Sequence, residues 1–190
     1  MYLVFDTETT GFPRNWKAPA TDVDNWPRAV QIAWIESDAR GQTIAEVSHI
    51  IRPDGFTIPA DVVRVHGITT ERARRVGVPI REVLTALSAA ARRQSAAVAH
   101  NISFDEKVVA AEFIRARLPN PLDRLRRICT MQGSTAHCRL PGHGGYKWPN
   151  LSELTEHLFG TQPETVHEAT ADARTCARCF FELKRRGVLE

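Results

Sequence analysis

The stretch that most constrains this chain is its beginning. Tyr2-Leu-Val-Phe5 is an apolar run that closes on Asp6-Thr-Glu8 and then Thr-Thr-Gly11. Such a run, bounded by a turn signal, reads as a strand buried on both faces and therefore as one from the middle of a sheet. Alternate side chains of a strand share a face, so Asp6 and Glu8 project together. Two carboxylates side by side repel and resist ionisation unless a cation lies between them. A solvated loop end would carry the same Asp-x-Glu spacing; the apolar run before it and the Thr-Thr-Gly after it favour a functional pair.

The rest of the chain supplies a sheet for that strand. Residues 12–27 are rich in Pro and Asn and read as loop. Arg28–Glu36 and Gln42–Ile51 have strand character, with Asp38-Ala-Arg-Gly41 as the hairpin turn. The period then becomes helical at Thr69–Arg75 and Pro79–Arg93, where Val83, Leu84 and Leu87 share a face. Ala96–Ala99 reads as a short strand, Ser103–Leu118 as a helix and Arg127–Met131 as one more strand. Gln132–Lys147, with its Gly, His and Pro, reads as loop; Asn150–Phe159 and Glu168–Arg186 read as helices, the second stopped by Gly187. The expected fold is α/β, one domain over 1–190: three antiparallel strands, then parallel strands, with helices on both faces of a mixed sheet.

Composition closes off other classes. At 43% hydrophobic and 25% charged, the 190 residues have a globular balance, and no run reaches the roughly 20 apolar residues of a membrane span. The opening turns acidic too soon for a signal peptide, which makes cytoplasmic the expected location. Lys plus Arg number 25 against 22 Asp plus Glu, a net +3 that permits a nucleic-acid partner without requiring one. Cys176-Ala-Arg-Cys179, with His137 and Cys138 upstream, offers a zinc-site alternative. The pair falls inside a helical pattern, where two small core side chains explain it better.

Two further acidic segments matter. Asp105 follows Ala99-His-Asn-Ile-Ser-Phe at the opening turn of a helix, and His167-Glu-Ala-Thr-Ala-Asp172 opens the last one. Each alone is explained by the preference of helix N-termini for acids. Together, Asp6, Glu8, Asp105, His167 and Asp172 occur in the order of the DEDDh exonucleases. The chain resembles that DnaQ-like family over nearly its whole length, from Val4-Phe-Asp-Thr-Glu-Thr-Thr-Gly11 to Ala171-Asp-Ala173, with His66-Gly-Ile-Thr69 and Ala99-His-Asn101 between.

The resemblance implies an RNase H-like fold and 3′→5′ hydrolysis of nucleic acid to nucleoside 5′-monophosphates with two Mg²⁺ or Mn²⁺ ions. Hard cations about 3.5–4 Å apart stabilise charge on the attacking and leaving oxygens, and they take oxygen ligands. Asp6 would bridge the ions, Glu8 and Asp172 would serve the attacking side, and Asp105 the leaving side. His167 would accept the proton, as the side chain that ordinarily titrates nearest neutral pH. By the same analogy Thr9 and Gly11 hold the 3′ end, Phe12 wedges beside its base, His66 lines the pocket, and Asn101 contacts the strand or holds its own loop. The loops 13–27 and 132–147 are longer than in plainer members. Trp16 and Trp26 could stack bases or cover the sheet edge. The expected partner is a single-stranded 3′ end, DNA ahead of RNA. The family's proofreading members add a DNA polymerase subunit and a setting in repair. The alternatives are an exoribonuclease of the oligoribonuclease type and a non-catalytic nucleic-acid-binding module, against which the intact acids argue.

Overall fold

The computed structural model describes residues 1–163 and 167–190. Its five-stranded sheet has the order β3-β2-β1-β4-β5. β1 (Tyr2–Thr9), β2 (Ala29–Ser37) and β3 (Thr43–Ile50) are antiparallel, whereas β4 (Ala96–Ala99) runs parallel to β1 and β5 (Arg126–Cys129) parallel to β4. The mixed sheet expected from the sequence is the one observed, with β1 at its centre.

The alternation along β1 sorts the core. Leu3 and Phe5 face one layer, packed with Val83, Leu84 and Leu87 of α3 (Ile80–Ala91) and Val108, Val109 and Phe113 of α4 (Ile102–Arg115). Tyr2 and Val4 face the other, against Ala173, Cys176 and Phe180 of α7 (Ala169–Arg185). Fully burying a side chain such as Leu or Phe contributes about 1.5–3 kcal/mol, so these two layers fix the strand's register firmly. Continuing the alternation carries Asp6 and Glu8 onto the α7 face and Thr7 onto the α4 face.

The parallel pairing of β1 with β4 covers only Tyr2–Val4, so β1 outruns its neighbour. Asp6–Glu8 remain paired with β2 on the other side. The acids therefore stand where the sheet has opened a notch beside its central strand, the place where ligands gather in sheets of this kind.

Three segments differ from expectation. The strand Arg127–Met131 ends at Cys129, and α5 (Thr130–Cys138) follows where a loop was expected. Its residues are poor helix formers, but the Gln132 amide donates to Cys129 Sγ, and Thr130, Ser134 and Cys138 are buried at four-residue spacing. Gly133, mid-helix, is set by packing: a Cβ there would lie 2.4 Å from Leu189 Cδ2. The rest of that segment holds a two-residue ladder, β6 (Pro141–Gly142) with β7 (Gly145–Tyr146). A short helix, α1 (Ala60–His66), also stands where no element was expected, closed by Gly67 in the left-handed region at φ 71°. α2 (Thr70–Val76) and α6 (Leu151–Phe159) lie where the helical spacing puts them.

Candidate active site

Asp6, Glu8 and Asp172 each present a carboxylate oxygen, and these atoms all lie within 4.8 Å of one another. β1 brings the first two through its alternation. Asp172 comes from the first turn of α7, where acids are favoured by the helix dipole. Among the described residues this is the one group of three or more Asp, Glu, His or Cys side chains placed to hold a metal ion.

Asp105 arrives from the other face. It is 3% exposed and accepts from the Thr7 amide at 3.0 Å and the Thr7 hydroxyl at 2.7 Å. Its carboxylate thus satisfies a β1 amide beyond the point where β4 has stopped. Thr7, between the two acids but on the opposite face, is the clamp that holds Asp105 under the site. Sequence reasoning missed Thr7, although the same alternation that paired Asp6 with Glu8 turns it toward α4.

Among the described residues no lysine or arginine pairs with this cluster, and the charge of His167 offsets it only at Asp172; the proton affinities show it. Burial, then the charges of Asp105, Asp172 and Glu8, holds Asp6 well above the ordinary carboxylate range. Burial and the neighbouring Asp172 and Asp105 push Glu8 up to about 8. Burial raises Asp105 to about 7 even though the Thr7 bonds oppose it. Asp172 is raised by burial, offset in part by the His167 amide, which donates to Asp172 Oδ2 at 2.9 Å. Half-buried acids with raised proton affinity and clustered oxygens fit a hard divalent cation, which takes oxygen ligands and offsets their mutual repulsion.

His167 itself is exposed at φ +60°, left-handed for a non-glycine residue. Its neighbour Glu168, which sequence reasoning used only as a helix start, caps α7. The Ala171 amide (2.9 Å), the Thr170 hydroxyl (2.7 Å) and the Gln31 side-chain amide (2.6 Å) all donate to it. Burial opposes ionisation of Glu168, but those donors outweigh it and keep its pKa low.

The remaining expected site residues line the exit of β1. The Thr9 hydroxyl donates to the Gly11 carbonyl at 2.7 Å, and Gly11 sits at φ 143°, a conformation that favours glycine. His66 is buried; the Ile68 amide donates to its Nδ1, and burial lowers its pKa, offset in part by the Thr9 carbonyl. Asn101 takes a left-handed φ of 70° and accepts from the Ser103 hydroxyl, so it shapes the turn into α4. Its neighbour His100 bridges Thr130 Oγ1 (2.9 Å) and the Pro149 carbonyl (3.0 Å), and burial lowers its pKa to about 4.

The two tryptophans divide. Trp26 is 3% exposed and part of the core, covering the sheet, whereas Trp16 is half exposed, its ring 5.9 Å from Phe12 and 5.6 Å from Phe104. Phe12 is 78% exposed. The loop between them is pinned: Lys107 Nζ donates to the Trp16 carbonyl, and the Arg115 guanidinium to those of Val23 and Trp26. Cys176 and Cys179 are buried core side chains, one beneath β1 and the other against Leu154 and Leu183. A groove of about 740 Å³ lies between the β2–β3 turn and α7 and is not lined by Asp6, Glu8, Asp105 or Asp172.

A mixed sheet with helices on both faces and a carboxylate cluster at its notch that could hold a metal ion is the arrangement of the RNase H-like fold. The family model described as exonuclease, of the RNase T type, matches residues 3–180, and the chain belongs to that family, the DEDDh type of exonuclease. No curated protein matches the sequence. Among solved structures, E. coli exonuclease I in complex with a dT13 oligonucleotide is 22% identical with a TM-score of 0.75, over 97% of this chain and 41% of that one. The zinc-bound form of the E. coli exonuclease I–single-stranded DNA complex is 20% identical at TM-score 0.77, over 97% and 40%. Exonuclease X in complex with 5′-overhanging duplex DNA is 23% identical at TM-score 0.64, over 98% and 93%. The chain thus spans about two-fifths of the length of exonuclease I and nearly all of exonuclease X. Among the described residues no helix is long and apolar enough to cross a membrane.

Proposed function

We propose that this chain removes nucleotides one at a time from the 3′ end of single-stranded or frayed DNA, releasing nucleoside 5′-monophosphates. The observation that carries the reading is the oxygen cluster of Asp6, Glu8 and Asp172, half-buried and, among the described residues, without a lysine or arginine partner. In this reading Asp6, Glu8 and Asp172 hold a pair of Mg²⁺ or Mn²⁺ ions, and Asp105 supports the pair from the opposite face. The ions supply charge stabilisation for the attacking and leaving oxygens of the phosphodiester. His167 takes the proton released by the attacking water; the bond from its amide to Asp172 keeps it beside the cluster. The same tie over-determines its left-handed backbone, a strain typical of functional positions.

Thr9 and Gly11 cradle the terminal nucleotide, and Phe12 with Trp16 offers its base an aromatic wall. A wall of that kind tolerates every base, because each has a π face. His66, buried behind Thr9, lines the same pocket. DNA is favoured by the DNA-bound state of the similar structures, and such an activity belongs to repair or proofreading, with a polymerase subunit as a candidate partner.

The deciding experiment uses matched 3′-labelled DNA and RNA strands, single-stranded, paired and mismatched, with and without Mg²⁺. Release of labelled mononucleotide from single-stranded DNA, lost when the 3′ end is blocked or Mg²⁺ is withheld, is the expected result. Internal cutting of the blocked strand would mean an endonuclease, and preference for RNA would move the enzyme to RNA trimming.

A further inference from the structure

Four aromatic side chains are left largely in solvent: Phe12, Trp16, Tyr146 and Trp148, the last two at 54% and 59%. The first two belong to the loop after β1, which is anchored on α4. Tyr146 lies in β7 of the β6–β7 hairpin and Trp148 just beyond it, between α5 and α6, and those helices pack with α7 in a cluster of Cys138, Leu154, Leu158, Cys179 and Leu183. One aromatic pair is therefore anchored on the α4 side of the sheet and the other beside the helices of the α7 side, the side on which Asp6 and Glu8 project.

The hairpin is fastened to the site's own end of the sheet. His100, which leaves β4 and precedes the helix carrying Asp105, meets Thr130 at the start of α5 and the Pro149 carbonyl next to Trp148. The Lys147 amide donates to the Leu140 carbonyl at 2.9 Å, and Gly142 lies so close to Lys147 that a Cβ would stand 2.9 Å from its backbone nitrogen. A capping box of Asn150 and Glu153 fixes the exit into α6, and Glu153 also pairs with Lys147. The base of the arm is thus rigid, while its two rings serve no core. Residues 139–148 carry Arg139 and Lys147 and no acid. Exposed aromatics interleaved with cations suit a single-stranded nucleic acid, whose bases stack and whose phosphates are anionic.

We propose that Tyr146 and Trp148 form a second stacking surface, which takes bases of the substrate strand on the 5′ side of the scissile bond. This deepens the exonuclease reading and rests on it. The Phe12–Trp16 wall holds the terminal base, and the hairpin grips the strand that feeds it, so the enzyme favours a 3′ single strand long enough to reach both. Rings held on a rigid arm lose little freedom when a base stacks on them.

The test compares a strand of about twelve nucleotides, within the range of single-strand site sizes, with a dinucleotide and with the p-nitrophenyl ester of thymidine 5′-phosphate. Trp148→Ala raises KM for the long strand about tenfold, the effect of losing one base stack, and Tyr146→Ala with it raises KM further. The dinucleotide and the ester react as in the wild type, and Trp148→Phe restores the long-strand KM. Abasic positions upstream of the terminal nucleotide weaken the wild type and leave Trp148→Ala unchanged. An unchanged long-strand KM in Trp148→Ala overturns the proposal. So does an equal loss on the dinucleotide, which would make the hairpin a mere support of the catalytic centre. Anisotropy of a labelled strand in Ca²⁺ separates this from the reading it rests on. A wild type that releases no nucleotide but binds the strand through Trp148 defeats the exonuclease activity and leaves the stacking surface; binding indifferent to Trp148 defeats the surface.

Discussion

Two groups of carboxylates, one buried and one half-buried, lie on opposite sides of this sheet, and their treatment differs. Glu112 of α4, 1% exposed, is paired with Arg28 and Arg115, each at 2.8 Å, and accepts from the Ala29 amide at 3.1 Å. Glu36, equally deep, is held by Arg93 and Gln94. Asp6, Glu8 and Asp172 have no arginine, and burial together with mutual repulsion raises their proton affinity. A chain with 25 Lys and Arg does not lack cations for them. Arg28 and Arg115 go to Glu112 and Arg93 to Glu36, which ties the loop after β1 and the β2 strand into the fold, while Arg174, two residues from Asp172, goes to Glu46. A half-buried carboxylate with no partner in the protein takes up a proton or is neutralised by a cation from outside.

Substitutions should separate the two groups sharply. Asp6→Asn is expected to bring mononucleotide release in Mg²⁺ below detection while leaving the metal-free protein at least as stable as wild type, since it removes a repelled charge. Chemical denaturation in EDTA checks the second half, and a rate near wild type would show the site misassigned. His167→Ala should slow release about 10²–10⁴-fold, the span for a lost general base, with Mn²⁺ binding by calorimetry largely retained. Glu112→Ala should do the reverse of Asp6→Asn. It leaves two guanidinium groups facing a gap and is expected to cost about 3 kcal/mol of stability, with kcat little changed in whatever fraction stays folded.

The smallest effect is one of pH. The folded pKa values of Glu8 and Asp105 lie at about 8 and about 7, above those of ordinary carboxylates. Groups raised on folding contribute stability that is complete below their unfolded pKa and is lost as pH climbs through the folded value. In EDTA the melting temperature should therefore fall between about pH 4 and pH 8, and a divalent cation should restore more of it at pH 8 than at pH 5. A protein whose metal-free melting temperature rose across that interval would contradict the unpaired cluster.

Much of this was legible beforehand. The period-2 alternation of Tyr2–Glu8 put the two acids on one face and, taken with the helical spacing further on, the central strand in a mixed sheet. Asp105 was legible as a position but not as a geometry, because nothing local says that α4 crosses beneath Thr7. α5 was illegible for a related reason: Thr130–Cys138 has weak helix propensity and is held by the buried faces of α6 and α7 and by Leu189. Trp16 and Trp26 could not be told apart, since burial depends on which side of the pinned loop meets α4.

The sequence alone decided the alternation, the order of the acids and the balance of charge, since these follow from neighbours a few residues apart along the backbone. Only the tertiary structure decided that β4 stops short of Thr7, that Arg28 and Arg115 turn to Glu112, Arg93 to Glu36 and Arg174 to Glu46, and that one exposed aromatic pair is anchored on α4 while the other lies between α5 and α6. Those outcomes depend on contacts between residues about a hundred positions apart in the chain, such as Thr7 with Asp105 and Arg28 with Glu112. Packing selects such contacts, and local pattern does not encode them.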